Sequence, residues 1–340
     1  MGYGSGADVG YGRRWDLGPR AANHRPYWSV ATAGKIGGDT TDGGEEMSNH
    51  LIIGIDGSPE SEAAMHWGLE EAARRGVEVE LIYALAVPVV SDAYGMVMTR
   101  PDIDELTLYS QGLLDAALAA ARAAAPESTI TARLASGPPA AVLIEASKHA
   151  DALVVGTRGL GAISGKLLGS VSVRLAGKSV CPVYIVPPEW REHPAPDGRV
   201  LVGVDGSEHS DAALHMALEE ARRRKVGLTV LCAYHVPWLA RPVEPAVIAE
   251  FEESERWLAE KTVSESLDRV KGHSYSDVEI EQVTVRGMPA EALVEASKSA
   301  ELTVVGSRGH RSFSRAILGS VSRTLMQDSV RPVLVVHKPK

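Results

Sequence analysis

The chain has 340 residues, of which 44% are apolar and 23% charged, and its formal net charge is −9. This length predicts about two domains, each large enough to bury a core without disulfides or metals. The acidic balance argues against a general nucleic-acid binder and against adhesion to anionic lipid, since both ligands favour a basic surface. The sequence contains no uninterrupted apolar run of about 18 residues, so it predicts no membrane partner.

The cysteines and histidines give no sign of a disulfide framework or a metal site. Cys181 and Cys232 lie far apart in apolar stretches, which favours two small buried side chains over a catalytic thiol. The histidines lack metal-ligand spacing, so no metal site is predicted from them. Sparse cysteine use, and an N-terminus without the apolar core of a secretion signal, predict a cytoplasmic location.

The chain consists of a glycine-rich preface and a tandem duplication. Residues 1–47 show no helical or strand period and are expected to be a disordered extension. After them, the segment Ile53–Ser58 returns as Val202–Ser207, about 150 residues later. The repeat predicts one domain at 48–187, a proline-rich linker at 188–198 and a second domain at 199–340.

Each copy alternates strands with helices in the pattern of a parallel, doubly wound sheet. Leu51–Ile55 is wholly apolar and predicts a buried strand, and Ser58 with Pro59 predicts the start of a helix whose apolar stripe includes Trp67. The remaining elements of the first copy are predicted, in order, as strand Val77–Ala84, a long loop, helix Leu113–Ala124, strand Ser128–Leu134, helix Ala140–His149, strand Leu153–Val155, helix Ser170–Lys178 and strand Pro182–Val186. The fold class is therefore α/β, with two tandem Rossmann-like domains of five parallel strands each.

The candidate site lies where strand one and strand four end, because ligands of open α/β sheets bind beyond the carboxyl ends of strands at the switch point. Strand one ends in Asp56, which is suited to a ribose hydroxyl or an adenine edge. After strand four comes Gly156-x2-Gly159-x9-Gly169-Ser170. In this pattern we expect Gly156 to leave room for a ligand, Gly159 to adopt positive φ, and the helix that opens at Gly169 to face a phosphate.

The second copy repeats this arrangement and changes some of its residues. Asp205 follows its first strand, and the glycine pattern recurs as Gly306-x2-Gly309-x9-Gly319-Ser320. Gly161 and Lys166 become Arg311 and Ala316, so the second loop gains positive charge and loses glycine freedom. A dinucleotide fingerprint and a P-loop are both rejected, because neither glycine spacing is matched at the required strand.

These residues resemble the nucleotide signature of the universal stress protein family, of the ATP-binding tandem type, over about residues 48–340. The resemblance implies Rossmann-like domains of the adenine nucleotide alpha hydrolase type, ATP in each copy, and a regulatory role in stress response or growth. It leaves open whether Mg²⁺ accompanies the phosphates. The implied nucleotide-binding residues are Gly54, Asp56, Gly156, Thr157, Arg158, Gly159, Gly161, Lys166, Gly169, Ser170, Val171 and Ser172 in the first copy. Those of the second copy are Gly203, Asp205, Gly306, Ser307, Arg308, Gly309, Arg311, Gly319, Ser320, Val321 and Ser322.

Structural interpretations of the same residues remain open. The glycines could serve tight turns, Asp56 could be a turn aspartate, and Ser170 could be a plain helix cap. Arg158 and its counterpart in the second copy are more typical of surface charges than of phosphate clamps. The basic run Arg222–Lys225 is interpreted as a solvated helix end, where cations complement the helix dipole.

The two apolar fifth strands bear on assembly. Val183–Val186 and Val333–Val336 are expected at sheet edges, where unpaired strands invite pairing. We expect the two copies to pair within one chain as a pseudo-dimer, and a homodimer stays open.

Three functions are compatible with the sequence. An ATP-binding regulator with weak ATPase activity at most is favoured, since no carboxylate adjoins the phosphate loop in sequence. The alternatives are a nucleotide hydrolase or adenylyl-transfer enzyme, and an interaction module that does not use nucleotide.

Overall fold

The structure is a computed structural model. It describes residues 50–86, 90–91, 97–99, 103–159, 168–236, 244–270, 275–310 and 318–338. The preface 1–47 and three predicted site residues, Gly161, Lys166 and Arg311, lie outside the described residues.

The first half of the fold is a parallel sheet with helices in the crossovers. Its elements, in chain order, are β1 (His50–Ile55), α1 (Pro59–Arg75), β2 (Glu78–Leu85), β3 (Val90–Ser91), β4 (Val97–Thr99), α2 (Ile103–Ala124), β5 (Ile130–Ser136), α3 (Pro139–Ala146), β6 (Ala152–Gly156), α4 (Ser170–Lys178) and β7 (Val183–Val186). The strands of the main sheet lie in the order β5-β2-β1-β6-β7, and each neighbouring pair is parallel. The small β3–β4 pair is antiparallel and forms a separate sheet within the predicted long loop.

The second half repeats the first without the small pair among its described residues. Its elements are β8 (Val200–Gly203), α5 (Glu208–Arg224), β9 (Leu228–Tyr234), α6 (Pro245–Val270), β10 (Ile280–Arg286), α7 (Pro289–Ser297), β11 (Leu302–Gly306), α8 (Ser320–Asp328) and β12 (Val333–Val336). The strand order is β10-β9-β8-β11-β12, again with parallel neighbours. The predicted fold class is thereby confirmed in both halves.

The two halves share one ten-stranded sheet. Strands β7 and β12 pair antiparallel, with Tyr184 opposite Leu334 at the centre of the register. Both residues are fully buried. The predicted pairing of the fifth strands within one chain is therefore present, and it leaves neither of these strands at an edge.

Local sequence signals explain where the first helix of each half begins and ends. The Ser58 hydroxyl accepts a hydrogen bond from Ser61 N at 3.1 Å, and Pro59 occupies the first helical position, where its missing N–H costs nothing. Gly76 ends α1 in the left-handed region at φ 67°. In α5 the corresponding left-handed residue is Lys225, at φ 58°.

The apolar predictions are confirmed in the core. Trp67 is 6% exposed, and its ring centroid lies 4.7 Å from that of Tyr184 on β7. Cys181 and Cys232 are buried, free thiols. Burial raises the pKa of Cys181 to about 12 and that of Cys232 to about 11, so both are protonated at neutral pH.

A buried ionic cluster lies where α1 and α5 meet, and the sequence analysis did not predict it. Arg75 pairs with Glu71 of its own helix and with Glu220 of α5, each at 2.7 Å. Arg224 makes the equivalent pairs, with Glu220 at 2.9 Å and Glu71 at 2.7 Å. The interpretation of the run Arg222–Lys225 as a solvated helix end is wrong at Arg224, whose side chain is 2% exposed.

Candidate functional site

The carboxyl ends of β1 and β6 bring the predicted site residues of the first domain together. These two strands are neighbours, with Ile53 opposite Val154. Asp56 follows β1, and the signature glycines follow β6. Strands β8 and β11 make the same arrangement in the second domain, with Val202 opposite Val304. Both candidate sites therefore lie at the switch point of their sheet.

Each aspartate both closes a turn and faces the glycine loop. Asp56 Oδ1 accepts hydrogen bonds from Ser58 N at 3.0 Å and from Ser58 Oγ at 2.5 Å, so the turn interpretation describes one of its oxygens. The other oxygen, Oδ2, lies so close to Gly159 that a Cβ at this glycine would overlap it. The aspartate therefore packs directly against Gly159.

The second-domain aspartate is held in the same way, and a backbone N–H also donates to its other oxygen. Asp205 Oδ1 accepts from Ser207 N and Ser207 Oγ at 3.0 and 2.6 Å, and Oδ2 accepts from His310 N at 3.1 Å. Burial raises the pKa of Asp205, but the hydrogen bonds from Ser207 and His310 outweigh it and hold the pKa below its usual range. The carboxylate is thus ionised at neutral pH.

The first signature glycine is required by packing against a helix. A Cβ on Gly156 would lie 2.8 Å from the backbone oxygen of Glu60, in the first turn of α1. A Cβ on Gly306 would likewise lie 2.7 Å from the backbone oxygen of His209. Gly156 thus meets a steric requirement within the fold, and its expected role of keeping space free for a ligand stays a prediction.

The second signature glycine does not adopt the expected conformation. Neither Gly159 nor Gly309 has positive φ, whereas Gly57 and Gly206 do, at 81° and 80°. The prediction of positive φ at Gly159 is thus wrong. Its lack of a side chain is needed for the close approach of Asp56 described above.

Gly54 and Gly203, the predicted base-side residues, also lie in tight packing. A Cβ on Gly54 would lie 3.1 Å from Leu143 of α3, and one on Gly203 would lie 2.6 Å from Leu293 of α7. These glycines let α3 and α7 pack close to the sheet. Their contribution to a ligand site stays a prediction.

The third signature glycine opens a helix that has no side-chain cap. Gly169 is the N-cap of α4, with φ −65° and ψ 143°, and Gly319 is that of α8, with φ −62° and ψ 152°. Neither supplies a side-chain hydrogen bond to its helix, in contrast with Ser58 and Ser207. The first backbone N–H groups of a helix have no intrahelical acceptor, and together with the helix dipole they favour an anion.

The serines of these helix starts differ in exposure. Ser170 and Ser320 are exposed at the first helical position. Ser172 is buried, and its hydroxyl donates to the Gly156 carbonyl oxygen at 2.8 Å. Ser322 donates to Gly306 O at 2.7 Å. Through these hydrogen bonds, Ser172 and Ser322 each connect the start of a helix to the last residue of the preceding strand.

The other described signature residues differ in their surroundings. Thr157 and Ser307 are buried, and Val171 and Val321 are half-buried. Arg158 lies 3.4 Å from Glu60, and both side chains are partly buried. Sequence reasoning missed Glu60 and its counterpart His209 as residues that face the signature arginines. An alignment of the two copies would have shown this exchange.

The described residues contain neither a membrane-spanning helix nor a metal-binding cluster. No helix among them is long and apolar enough to cross a membrane. No group of three or more histidine, cysteine, aspartate or glutamate side chains within the described ranges is placed to hold a metal ion.

Comparison with known proteins agrees with the fold and with the duplication. The model of the universal stress protein family matches residues 47–187 and again 198–337. A universal stress protein of Mycobacterium tuberculosis is 33% identical over 303 residues, which span 85% of this chain and 96% of that protein. One from Mycolicibacterium smegmatis is 33% identical over 291 residues, covering 84% and 96%.

Solved structures share the architecture. That of a universal stress protein from Archaeoglobus fulgidus superposes with a TM-score of 0.61 at 23% identity, and covers 86% of this chain and 99% of its own. With both halves matched by one family model, the chain belongs to the universal stress protein family and carries two such domains in tandem.

Proposed function

We propose that each domain binds one adenine nucleotide, ATP, and that the protein acts as a nucleotide-dependent regulator of stress response or growth. The single observation that carries this proposal is the duplicated, uncapped helix start. Gly169 and Gly319 each open a helix whose first N–H groups receive no side-chain cap. Each helix follows the strand that lies next to strand one of its own domain. The family signature, matched in both copies, supports ATP as the anion.

A proline substitution tests the backbone donors directly. Gly169 and Gly319 already have the extended conformation that precedes proline, and Ser170 and Ser320 are exposed at the first helical position. The double variant Ser170→Pro with Ser320→Pro should therefore fold, while one N–H donor per site is lost. Since a hydrogen bond to a charged group contributes about 1.5–3 kcal/mol, we expect ATP affinity to fall roughly 10- to 100-fold.

Calorimetric titration with ATP, together with a thermal melt, measures this effect. Ser170→Ala with Ser320→Ala is the matched control, because it removes both hydroxyls and keeps the N–H groups. Retained ATP affinity in the folded proline variant would show that these helix starts do not bind the phosphates. The expected stoichiometry of the wild type is two nucleotides per chain.

The alternative hypothesis is that the protein is an enzyme with the same fold, either a nucleotide hydrolase or an adenylyl-transfer enzyme. Hydrolysis needs a positioned base or a group that orients water, usually with a held metal. A turnover assay with ATP and Mg²⁺, comparing the wild type with Asp56→Ala, separates the two functions. We expect slow turnover in both proteins, and fast turnover that the substitution abolishes would establish the enzyme.

The third reading, a module that binds partners without nucleotide, is tested on the purified protein itself. Mass spectrometry of small molecules released by denaturation should detect an adenine nucleotide. If none is released and none binds in titration, the nucleotide proposal is rejected in favour of this module.

A further inference from the structure

The signature arginine of the first domain is neutralised by a carboxylate. Arg158 Nε lies 3.4 Å from Glu60 Oε1, and the two side chains are 25% and 19% exposed. The backbone of Glu60 lies directly against Gly156, in the first turn of α1. An anion that approaches this arginine must therefore compete with the carboxylate of Glu60.

The second domain lacks this carboxylate. His209 occupies the place of Glu60, with its backbone against Gly306. Within the described part of the chain, no carboxylate lies at ion-pair distance from Arg308, and the carboxylate next to His209 along the chain, Glu208, pairs with Lys338. The signature arginine of this half is therefore not neutralised by a salt bridge of the kind Arg158 makes.

Positive charge outweighs negative charge around His209, which faces Arg308. Burial is the main cause of the lowered pKa of His209, the positive charges of Arg308 and Lys338 lower it further, and the carboxylates of Glu208 and Asp205 oppose them with smaller effects. His337, which follows β12, has its pKa lowered by burial and also by Arg308 and His209.

We propose that the two nucleotide sites are unequal, and that the second domain selects for the number of phosphate charges more strongly than the first. The inference rests on the proposed function, since it concerns the ligand of the same two sites. Arg308 can interact with the phosphate chain without first breaking a salt bridge, whereas Arg158 is already paired with Glu60. The second domain therefore prefers ATP over AMP more strongly than the first domain does, although both bind nucleotide.

The expected size of the difference follows from partly exposed charge pairs. Such pairs contribute about 0.2–1 kcal/mol, which corresponds to roughly 1.4- to 5-fold in an equilibrium constant. Selectivity for ATP over AMP should therefore be up to about fivefold greater in the second domain from this position alone.

Reciprocal substitutions exchange the two environments within the full-length protein. His209→Glu gives Arg308 the partner that Arg158 has, and Glu60→His removes it from Arg158. We expect His209→Glu to lower ATP-over-AMP selectivity in the second domain, and Glu60→His to raise it in the first. The matched control is Glu62→His, which makes the same charge change at an exposed residue of α1 whose carboxylate lies 4.0 Å from His66.

Photolabelling with 8-azido-ATP reads both sites in one molecule. Labelled peptides are assigned to each domain by mass spectrometry, and competition by ATP and by AMP gives the selectivity of each site. Equal selectivity in both domains, or selectivity that the control changes as much as the exchanges do, overturns the inference and leaves nucleotide binding intact. Absence of specific labelling in either domain rejects the proposed function and the inference together.

Discussion

Single residues of the signature serve the fold before they serve any ligand. Gly156 is the clearest case, because a Cβ there would lie 2.8 Å from the backbone oxygen of Glu60, which cannot move without displacing α1. We expect Gly156→Ala to destabilise the protein by about 1–3 kcal/mol, the usual cost of overpacking. Urea unfolding of the substituted and wild-type proteins measures the loss.

Gly112 provides the control for that substitution. It lies within α2, and a Cβ there would meet no atom within 4 Å. Gly112→Ala should stabilise the protein by about 0.5–1 kcal/mol, since alanine is the better helix former. Equal effects at the two positions would contradict the packing argument at Gly156.

His337 should make the protein sensitive to acid. Burial lowers its pKa from 6.5 to about 4 in the folded protein, the backbone of Ala176 opposes this in part, and the positive charges of Arg308 and His209 add to the shift. Because the unfolded chain binds this proton more readily, the stability is complete above about pH 6.5 and is lost progressively as the pH falls towards 4.

The variant His337→Gln cannot take up that proton. Its unfolding free energy should therefore fall less than that of the wild type between pH 7 and pH 4.5, by about 1–3 kcal/mol. Parallel pH profiles for the two proteins, measured by urea unfolding, would show that His337 is not the responsible group.

At the scale of elements, boundaries that depend on local signals were predictable. Helix α4 occupies Ser170–Lys178, as the sequence predicts, and β1 begins one residue before the predicted Leu51. Helix α2 begins at Ile103, ten residues before the predicted Leu113. The sequence pattern missed its first turns because they are not alanine-rich and carry exposed apolar residues such as Leu108 and Tyr109. The reasons for the signature glycines were not predictable, since each depends on contact with a segment distant in sequence.

The join between β6 and α4 depends on one buried hydroxyl. Ser172 is 3% exposed and donates to the Gly156 carbonyl oxygen at 2.8 Å. Ser172→Ala leaves that oxygen without this donor, so we expect a loss of about 1–2 kcal/mol in the free energy of unfolding. Ser170→Ala, two residues away and exposed, should change it by less than about 0.5 kcal/mol. Chemical denaturation measures the free energy of unfolding of both variants. Equal losses for Ser172→Ala and Ser170→Ala would show that the Ser172 hydrogen bond is not the cause.

At the scale of the whole molecule, the duplication explains the symmetry of the ionic cluster between α1 and α5. Glu71 and Arg75 recur in the repeat as Glu220 and Arg224, and each arginine bridges both glutamates. From the sequence alone these residues are charged side chains near helix ends. Their burial could not be predicted, because it depends on the pairing of the two halves through β7 and β12.

Breaking this cluster should cost far more than breaking a surface pair. Glu71 and Glu220 are both 0% exposed. Burial raises the pKa of Glu220, but Arg75, Arg224 and Arg223 outweigh it and bring the pKa to about 2. Glu71→Gln removes one carboxylate charge and leaves buried arginines in excess, so we expect a loss of about 3–5 kcal/mol, and a loss of similar size for Glu220→Gln.

Glu70→Gln is the matched control, because it makes the same change one residue away, in a pair with Arg191 whose side chains are 55% and 46% exposed. Its cost should stay below about 1 kcal/mol. Guanidinium unfolding compares the three variants, and a cost at Glu71 no greater than that at Glu70 would contradict the cluster's role. Because each arginine bridges the two helices, we also expect Glu71→Gln to weaken the coupling of the halves, so that the single unfolding transition broadens or separates into two.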